Sequence, residues 1–318
     1  MSKSITVAAG IDTSKDKLDV AIHGCAEQLQ VGNDAAGHRS LLAWLRRKRV
    51  TRVGIEASGG YERAVVAELR RAGFVVIVFQ PIQVRAYAMF RLQRAKNDKI
   101  DAALIAACTA AGEDKIRPAP DARFAAFAEH LTLIEQIEED AARYKTRRDT
   151  FLDKTNLQLI ESEIVRLQAW RRRELKRLRE AIYAHADLKQ RFRLIHSVVG
   201  IGGRTALALL VRLPEIGLLT RGQAAALVGL APYDDDSGRM TGQRHIAGGR
   251  KRLRKSLYAA AMPAAFHWNP ALIALYGRLT ADGKTHKQAL VACARKLVIY
   301  ANTVVARGTP WSNRTAIA

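Results

Sequence analysis

Residues 5–31 read ITVAAGIDTSKDKLDVAIHGCAEQLQV, and this stretch decides the fold of the N-terminal region. Three short segments alternate with turn-forming residues: Ile5–Ile11, which ends at Asp12, then Lys17–Ile22 and Gln28–Val31. Short apolar or alternating segments bounded by turn residues are typical of strands. The stretch therefore predicts three consecutive strands that pair as antiparallel neighbours.

Alternating helix and strand patterns continue this sheet. They predict a helix over 35–48, a strand over 52–56, a helix over 61–72 and a strand over 74–79 that Pro81 stops. The order β-β-β-α-β-α-β is that of a ribonuclease H-like fold, an α/β class in which the first three strands meander. The remainder of the chain has helical patterns and predicts an all-α region.

The helical patterns begin at Gln83. Strong helix formers from Gln83 to Ala111 predict one helix, although Asn97 and Asp98 could also begin a new one. Residues 121–199 contain neither Gly nor Pro, a run too long for one ordinary helix. Apolar residues with three- and four-residue spacings run through it: Leu157, Ile160, Ile164, Leu167, Leu175, Leu178 and Ile182. This coiled-coil-like seam predicts a helical hairpin or a contact between copies, with a buried helix of a larger intrachain bundle as the alternative.

These breaks predict three domains, at 1–117, 118–192 and 193–318. Near the start of the third, Gly200-Ile-Gly202 precedes Arg204 and a segment rich in Ala and Leu, which looks like the hairpin of a helix-hairpin-helix element. Glycines let the chain turn tightly and bring backbone N–H groups toward a phosphate. A plain turn between helices fits this motif equally well.

The charge of the chain is strongly positive and unevenly distributed. The 318 residues include 52 Lys and Arg against 30 Asp and Glu, for a net charge of +22. Residues 1–150 carry 24 basic and 19 acidic side chains, whereas residues 151–318 carry 28 and 11. At 48% hydrophobic residues, the chain is too apolar for a disordered basic tail. The second half is therefore predicted to face a polyanion.

Two basic clusters are candidate nucleic-acid contacts, although either alone could be a solvated helix face. The first contains Arg239, Arg244, Arg250, Lys251, Arg252, Arg254 and Lys255, with no acid among residues 239–255. The second contains Arg171, Arg172 and Arg173 in a predicted helix that also carries Lys176, Arg177 and Arg179. Gly200, Gly202 and Arg204 are further candidates. In contrast, Glu135, Glu138 and Glu139 are expected on a solvated helix face.

Four acids are candidates for catalysis and metal binding. Asp12 and Glu56 end predicted strands, and Asp98 and Asp101 are one helical turn apart. Converging carboxylates repel one another unless divalent cations lie among them, so the set predicts a hard-metal site. Two Mg²⁺ ions about 4 Å apart are the usual device for phosphodiester cleavage, with Mn²⁺ as an alternative. Singly, Asp12 could instead cap a turn and Asp98 a helix.

The three cysteines, Cys25, Cys108 and Cys293, are far apart and have no metal-ligand spacing. They favour a reducing cytoplasm over a disulfide framework. The N-terminus lacks the pattern of a signal peptide, and we expect no apolar stretch of transmembrane length. The sequence therefore predicts a protein with no membrane contact.

At this point the motifs resemble those of a known family. The strings at 10–15, 54–61 and 96–102 read GIDTSK, GIEASGGY and KNDKIDA. They look like the DEDD motifs of the transposases of insertion-sequence family one hundred and ten. The C-terminal half is similar too, with GIG at 200–202, LVGLAP at 227–232, DSG at 236–238 and IAGGRKRLRKSLY at 246–258. The resemblance covers nearly the whole chain, in order.

The resemblance implies a Ruv-C-like nuclease domain, a coiled-coil linker and a C-terminal transposase domain. It implies a tetramer built as a pair of dimers, in a prokaryotic cytoplasm and associated with the nucleoid. It also implies that a noncoding bridge RNA pairs with donor and target DNA, so that base pairing selects the sites.

The family uses a serine of the C-terminal domain as nucleophile, and Ser237 is the position that matches its Ser-Gly motif. A serine hydroxyl can attack a metal-activated phosphate and conserve the bond energy as a phosphoserine, which permits strand exchange. Taken from the residues alone, Asp-Ser-Gly is also an ordinary turn sequence.

Two other functions remain open. A metal-dependent structure-selective endonuclease, such as a Holliday-junction resolvase, would use the same four acids with water as nucleophile. A noncatalytic nucleic-acid-binding protein would keep the fold without needing the acids.

Overall fold

The chain forms two compact units, 1–119 and 120–318. The structure is a computed structural model that describes residues 7–92, 98–112, 121, 123–233 and 244–312, with the backbone alone at 98–100.

The first unit is built on a five-stranded sheet with the order β3-β2-β1-β4-β5. Its strands are β1 Ala8–Thr13, β2 Lys17–Ile22, β3 Gln28–Gly32, β4 Arg52–Glu56 and β5 Val75–Phe79. The first three strands are antiparallel neighbours, whereas β4 pairs parallel with both β1 and β5. This meander followed by parallel strands confirms the ribonuclease H-like class.

Helices cover both faces of this sheet. They are α1 Ala35–Arg47, α2 Arg63–Arg71, α3 Pro81–Phe90 and α4 Asp98–Ala111. Helices α1 and α2 share a core with the face that carries Ile11, Val20 and Ile55, while α4 lies against the face that carries Gly10. Asp34 caps α1 by accepting a hydrogen bond from the Gly37 amide at 2.8 Å, which fixes where this helix begins.

The prediction of one helix over 83–111 is wrong. Helix α3 ends at Phe90, and α4 begins at Asp98, as the alternative reading of Asn97 and Asp98 allowed. Leu92 adopts a left-handed φ of 53°, so the chain has left helical geometry there. A leucine in this role gives no sequence signal, because glycine is the residue expected at such positions.

The second unit is helical. Its elements are α5 Arg123–Arg148, α6 Lys154–Tyr183, α7 Ala186–Ser197, α8 Gly203–Arg212, α9 Arg221–Val228, α10 Lys251–Pro263, a π-helical turn Ala264–Trp268, α11 Pro270–Ala281 and α12 His286–Arg307. A short antiparallel ribbon of β6 Pro232–Tyr233 and β7 His245–Ile246 flanks residues 234–243.

Helices α5 and α6 form the predicted hairpin. In α6, Ile164, Leu167, Leu178 and Ile182 are buried, as the seam predicts. The last two share one core with buried residues of α7, α8, α10 and α12. The intrachain-bundle alternative therefore also holds for the C-terminal part of α6, because the hairpin joins the main core there.

Helix α12 corrects the expectation about membrane-spanning segments. By length and composition it is long and apolar enough to cross a membrane. However, Leu290, Cys293, Leu297 and Val298 are fully buried in the core of the second unit. The helix is apolar because it packs on several sides within the protein.

Candidate catalytic site and nucleic-acid interface

Two of the predicted catalytic acids lie at the carboxyl ends of neighbouring strands. Strands β1 and β4 are parallel, with Gly10 opposite Gly54 and Ile11 opposite Ile55. Asp12 and Glu56 each follow directly, and both are half-buried. Since side chains alternate between the faces of a strand, these carboxylates lie on the face that carries the two glycines.

Helix α4 approaches this face closely because both glycines lack a Cβ atom. A Cβ at Gly10 would lie 2.1 Å from the Ala106 amide nitrogen and 2.3 Å from the Ala102 carbonyl oxygen. A Cβ at Gly54 would lie 1.9 Å from Thr109 Oγ1. These distances are far below van der Waals contact, so any larger residue at either position would push the helix away.

The approach of α4 brings the N-terminal part of this helix, which contains the second pair of acids in sequence, toward the same face of the sheet. Asp98 is the first residue of the helix, and the half-buried Asp101 directly precedes Ala102. The same pattern therefore occurs on both strands, as Gly10-x-Asp12 and Gly54-x-Glu56. In each, the glycine leaves room for α4, and the acid lies two residues farther along the strand. The acids could be singled out from the sequence, whereas the role of the glycines becomes visible only when α4 is packed on the sheet.

Carboxylate oxygens are the ligands that Mg²⁺ and Mn²⁺ prefer, so these residue types would suit a hard divalent cation. Among the side chains that the structure describes, no group of three or more His, Cys, Asp or Glu is close enough to hold a metal ion. The Asp98 side chain lies outside that description.

A further carboxylate, which the sequence analysis did not single out, lies beside Asp12. Asp19 of β2 is directly opposite Asp12 in the antiparallel register, so both side chains lie on one face. Asp19 is buried, accepts a hydrogen bond from Gln30 Nε2 at 2.6 Å and pairs with Lys17 Nζ at 3.1 Å. These partners offset its charge. The alternating segment Lys17-Leu-Asp19 was the available signal.

The predicted nucleophile lies on the second unit, outside the described residues. Ser237 and Arg239 belong to 234–243, between β6 and β7. Beside this ribbon is a cavity of about 550 Å³ whose lining includes Lys251, Lys255 and Lys287, together with Arg252, Arg254 and one acid, Glu139. The ribbon contributes Ile246 to the same lining. The ribbon strand β7 thus borders a strongly basic cavity.

Several of the predicted nucleic-acid contacts have partners within the protein instead. Arg250 makes two hydrogen bonds to Glu215, at 2.7 and 2.9 Å. Arg254 donates to the carbonyl oxygens of Gly229 and Gly248, at 3.1 and 2.6 Å. Arg244 also has an interaction within the structure. These side chains stabilise the turns around α10, a role that charge counting did not reveal.

The other engaged arginines converge on helix α5. Arg204 and Arg171 donate to Glu138, at 2.8 and 2.7 Å, and Arg252 donates to Glu135 at 2.7 Å. The expectation that these glutamates are solvated is wrong, because Glu135 is only 6% exposed and Glu138 is half-buried. The helices α5, α6, α8 and α10 are joined by these ion pairs.

The environment of Glu138 illustrates the balance of forces in this network. Burial favours its neutral form, but the hydrogen bonds and positive charges of Arg204 and Arg171 outweigh burial and hold the pKa of Glu138 below its ordinary value. The carboxylate therefore stays charged at neutral pH and keeps both arginines in place.

Among the described residues, no ion pair involves four of the predicted contacts, which are exposed cations: Lys251, Lys255, Arg172 and Arg173. Arg244 and Arg252 are exposed as well, although each has a partner within the protein. The hairpin glycines have separate roles. Gly200 has a φ of 103°, and a Cβ there would lie 2.4 Å from Ala264 Cβ, so both the turn and the packing require glycine. Gly202 is the N-cap of α8 and supplies no side-chain hydrogen bond to that helix.

Two family models match long segments of the chain. Residues 9–157 match a family model described as a DEDD transposase, and residues 192–277 match a second, described as the transposase IS116/IS110/IS902 family. The matches follow one another in order and contain all five predicted catalytic residues. The chain belongs to the IS110 family of transposases.

Curated relatives of this transposase include the pilin gene-inverting protein of Moraxella bovis, 26% identical over 96% of the chain and 97% of the relative. An uncharacterized 43.6 kDa protein of insertion element IS110 from Streptomyces coelicolor is 32% identical over 38% of the chain and 30% of the relative. Among solved structures, T. thermophilus RuvC in complex with a Holliday junction substrate superposes with a TM-score of 0.27 and 17% identity, covering 33% of this chain and 92% of that one.

Proposed function

We propose that this transposase is a DNA recombinase that excises and integrates an insertion sequence by cleaving and exchanging DNA strands. The observation that carries the proposal is the placement of Asp12 and Glu56 at adjacent strand ends, on the sheet face that α4 covers with Asp98 and Asp101 near its start. A carboxylate set of this kind on a ribonuclease H-like sheet suits metal-dependent phosphodiester chemistry.

Asp12, Glu56, Asp98 and Asp101 would hold the metal, which we propose to be two Mg²⁺ ions, with Mn²⁺ as a substitute. Such ions, when bound, stabilise negative charge on the reacting phosphate and on the oxygen that leaves. In this proposal the glycines fix the distance of α4 from the sheet, and Asp19 has partners of its own in Gln30 and Lys17.

Ser237 is proposed as the nucleophile. Its Oγ attacks the scissile phosphorus, a P–O bond of the DNA strand breaks, and the serine proton is lost while the departing strand oxygen gains one. A strand hydroxyl then attacks the phosphoserine and restores a phosphodiester as Ser237 Oγ leaves. One bond forms for each bond broken, so exchange needs no external energy source. The alternative is a nuclease in which water attacks and the strands stay cut.

The basic cavity beside the ribbon of β6 and β7 supports a DNA contact on the second unit. Lys251, Lys255 and Lys287 are exposed around it, and exposed lysines bind phosphates as mobile point charges. We propose that they hold donor or target DNA. The noncoding bridge RNA is proposed as the second nucleic acid, and the charge of +22 supports simultaneous binding of RNA and DNA.

We further propose a homotetramer arranged as a dimer of dimers, working in the cytoplasm at the nucleoid. Apolar side chains exposed on the α5–α6 hairpin support a contact between copies: Leu152 is 95% exposed, Leu159 64% and Val165 61%. The whole-chain similarity to a pilin gene-inverting protein favours one variation, in which the same chemistry inverts a DNA segment between two sites.

The nucleophile proposal is tested by a recombination assay with paired DNA sites, the bridge RNA and Mg²⁺. Ser237→Ala should abolish recombinant product, whereas Ser162→Ala, at an exposed serine of α6, should leave it unchanged. Recombination at normal yield by Ser237→Ala would refute the assignment. Cleavage that persists without joining would favour the water-dependent nuclease.

The metal and RNA proposals have separate tests. Asp12→Asn and Glu56→Gln should abolish both Mn²⁺ binding by calorimetry and strand cleavage, while Glu68→Gln on α2 should retain both. Unchanged metal binding in the first two variants would instead favour a noncatalytic nucleic-acid-binding protein. Ribonuclease treatment should abolish site-specific recombination, and undiminished activity on DNA alone would refute RNA guidance.

A further inference from the structure

A second basic cavity lies between helices α6, α7 and α8, away from the ribbon that flanks Ser237. It has a volume of about 350 Å³. This volume is near the lower end of the range for ligand pockets, about 300–1,000 Å³, and suits a group as small as one nucleotide. We call it the α6–α8 cavity.

One wall of the α6–α8 cavity is cationic. Arg172, Lys176 and Arg179 line it from α6, at spacings of four and three residues that place them on one helix face. All three are exposed. Lys176 has Glu180 at 3.9 Å, a pair so exposed that it contributes little. Among the described residues, no carboxylate lines the cavity and none pairs with Arg172 or Arg179.

The opposite wall is aromatic. His196 stacks on Phe192 with the ring centroids 5.6 Å apart and the planes 11° from parallel. Tyr183 meets Phe192 edge-on at 5.5 Å, which holds the buried Phe192 ring in place. His196 is exposed and so presents one ring face to solvent, backed by a fixed aromatic ring. This is the geometry of a stacking platform for a nucleobase.

The floor of the cavity includes the start of α8. Gly203 lines it, and a Cβ at Gly203 would lie 4.0 Å from His196 Nε2. The N-cap, Gly202, offers no side-chain acceptor to the first amides of α8. Those amides add to the positive potential that the arginines create.

We propose that the α6–α8 cavity binds one unpaired nucleotide of a nucleic-acid strand. Its phosphate lies against Arg172, Lys176 and Arg179, and its base stacks on the exposed face of His196. The inference rests on the proposed function only in requiring that the chain bind nucleic acid. An unpaired nucleotide is favoured over a duplex because both faces of a base inside a duplex are already stacked on its neighbours, so such a base cannot stack on His196.

The test is fluorescence anisotropy with the full chain at pH 8, across a series of salt concentrations. The probes are labelled 12-nucleotide single strands of DNA and of RNA with one sequence, and the duplex of the DNA strand. Arg172→Gln and Arg179→Gln should each reduce the slope of log affinity against log salt by about 0.7 for single strands. His196→Ala should weaken single-strand binding about five- to hundredfold with little change in slope, because stacking releases no counterions.

The matched control is Arg193→Gln, which removes an exposed arginine of α7 outside this lining and should change single-strand affinity much less than the cavity variants do. Single strands that carry a photoreactive pyrimidine should also cross-link to the peptide containing His196. Stronger binding of the RNA or of the DNA strand identifies the natural source, and either supports the proposal.

Two outcomes would overturn the proposal. His196→Ala could change affinity no more than Arg193→Gln does, or the cavity variants could weaken duplex and single strands equally. Neither outcome would contradict the proposed recombination through Ser237, which does not depend on this cavity. If the unaltered chain bound no nucleic acid at all, the proposed function itself would fail.

Discussion

Replacing Glu135 with glutamine should destabilise the second unit by about 3–5 kcal/mol, the usual cost of removing one partner from a buried ion pair. Glu135 is only 6% exposed. Its carboxylate accepts two hydrogen bonds from Arg212, at 2.6 and 3.1 Å, and one from Arg252 at 2.7 Å. Arg204 lies 3.6 Å away. The neutral amide would leave the guanidinium groups of Arg212 and Arg252 without this counter-charge, whereas Arg204 would keep Glu138 as its partner.

The assay is chemical and thermal unfolding followed by circular dichroism. In a unit of this size, 1 kcal/mol moves the midpoint temperature by roughly 2–4 °C, so Glu135→Gln should lower it by roughly 6–20 °C. Glu139→Gln is the matched control, since Glu139 lies on the same helix, is exposed and should change stability by less than about 0.5 kcal/mol. A loss below about 1 kcal/mol in Glu135→Gln would refute the view that these arginines are structural.

Three further predictions follow from the geometry. Gly10→Ala should lower the free energy of unfolding by about 3 kcal/mol and weaken metal binding, because the new methyl group would meet the α4 backbone. The control is Gly222→Ala, which should be tolerated because a Cβ there has open space. Equal melting temperatures of the two variants would contradict the close approach of α4. Lys255→Gln should reduce the salt dependence of duplex DNA binding by about one unit of slope without lowering stability, and an unchanged slope would remove it from the interface. The pKa of Glu138 in the folded chain lies below the ordinary value of 4.5. Glu138 therefore contributes fully to the free energy of unfolding above pH 4.5, and this contribution is lost as the pH falls below 4.5. Glu138→Gln should therefore flatten the stability profile below pH 4.5 in acid titrations, and a profile as steep as that of the unaltered chain would contradict this.

The sheet could be predicted from the sequence because its signals are local. The alternation in residues 5–31 reports which strand faces are buried, and strand ends follow from the turn residues between the segments. Asp12 and Glu56 were therefore placed correctly at strand ends. The register that sets them side by side depends on pairing between strands more than forty residues apart in sequence, which no local pattern encodes.

The ion-pair partners of the basic residues could not be predicted from the sequence, because a count of charges does not show which carboxylates lie close in the fold. Arg204 and Arg252 looked like phosphate contacts, but their acceptors on α5 are 66 and 117 residues away in sequence. Glu135 looked solvated because Glu138 and Glu139 share its helix face. The ion pairs that α8 and α10 make with α5 join these residues in a partly buried network. The α6–α8 cavity could not be predicted either, because residues of three different helices line it.

The central claim is that Ser237 forms a covalent bond to DNA at a site that depends on Asp12. It is tested most directly by trapping the reaction with end-labelled DNA, the bridge RNA and Mg²⁺, then digesting the product and locating the nucleotide adduct by mass spectrometry. The account predicts a phosphodiester adduct on Ser237 in the unaltered chain and none in Ser237→Ala or Asp12→Asn. Cleaved DNA without an adduct, or an adduct on another residue, would contradict it.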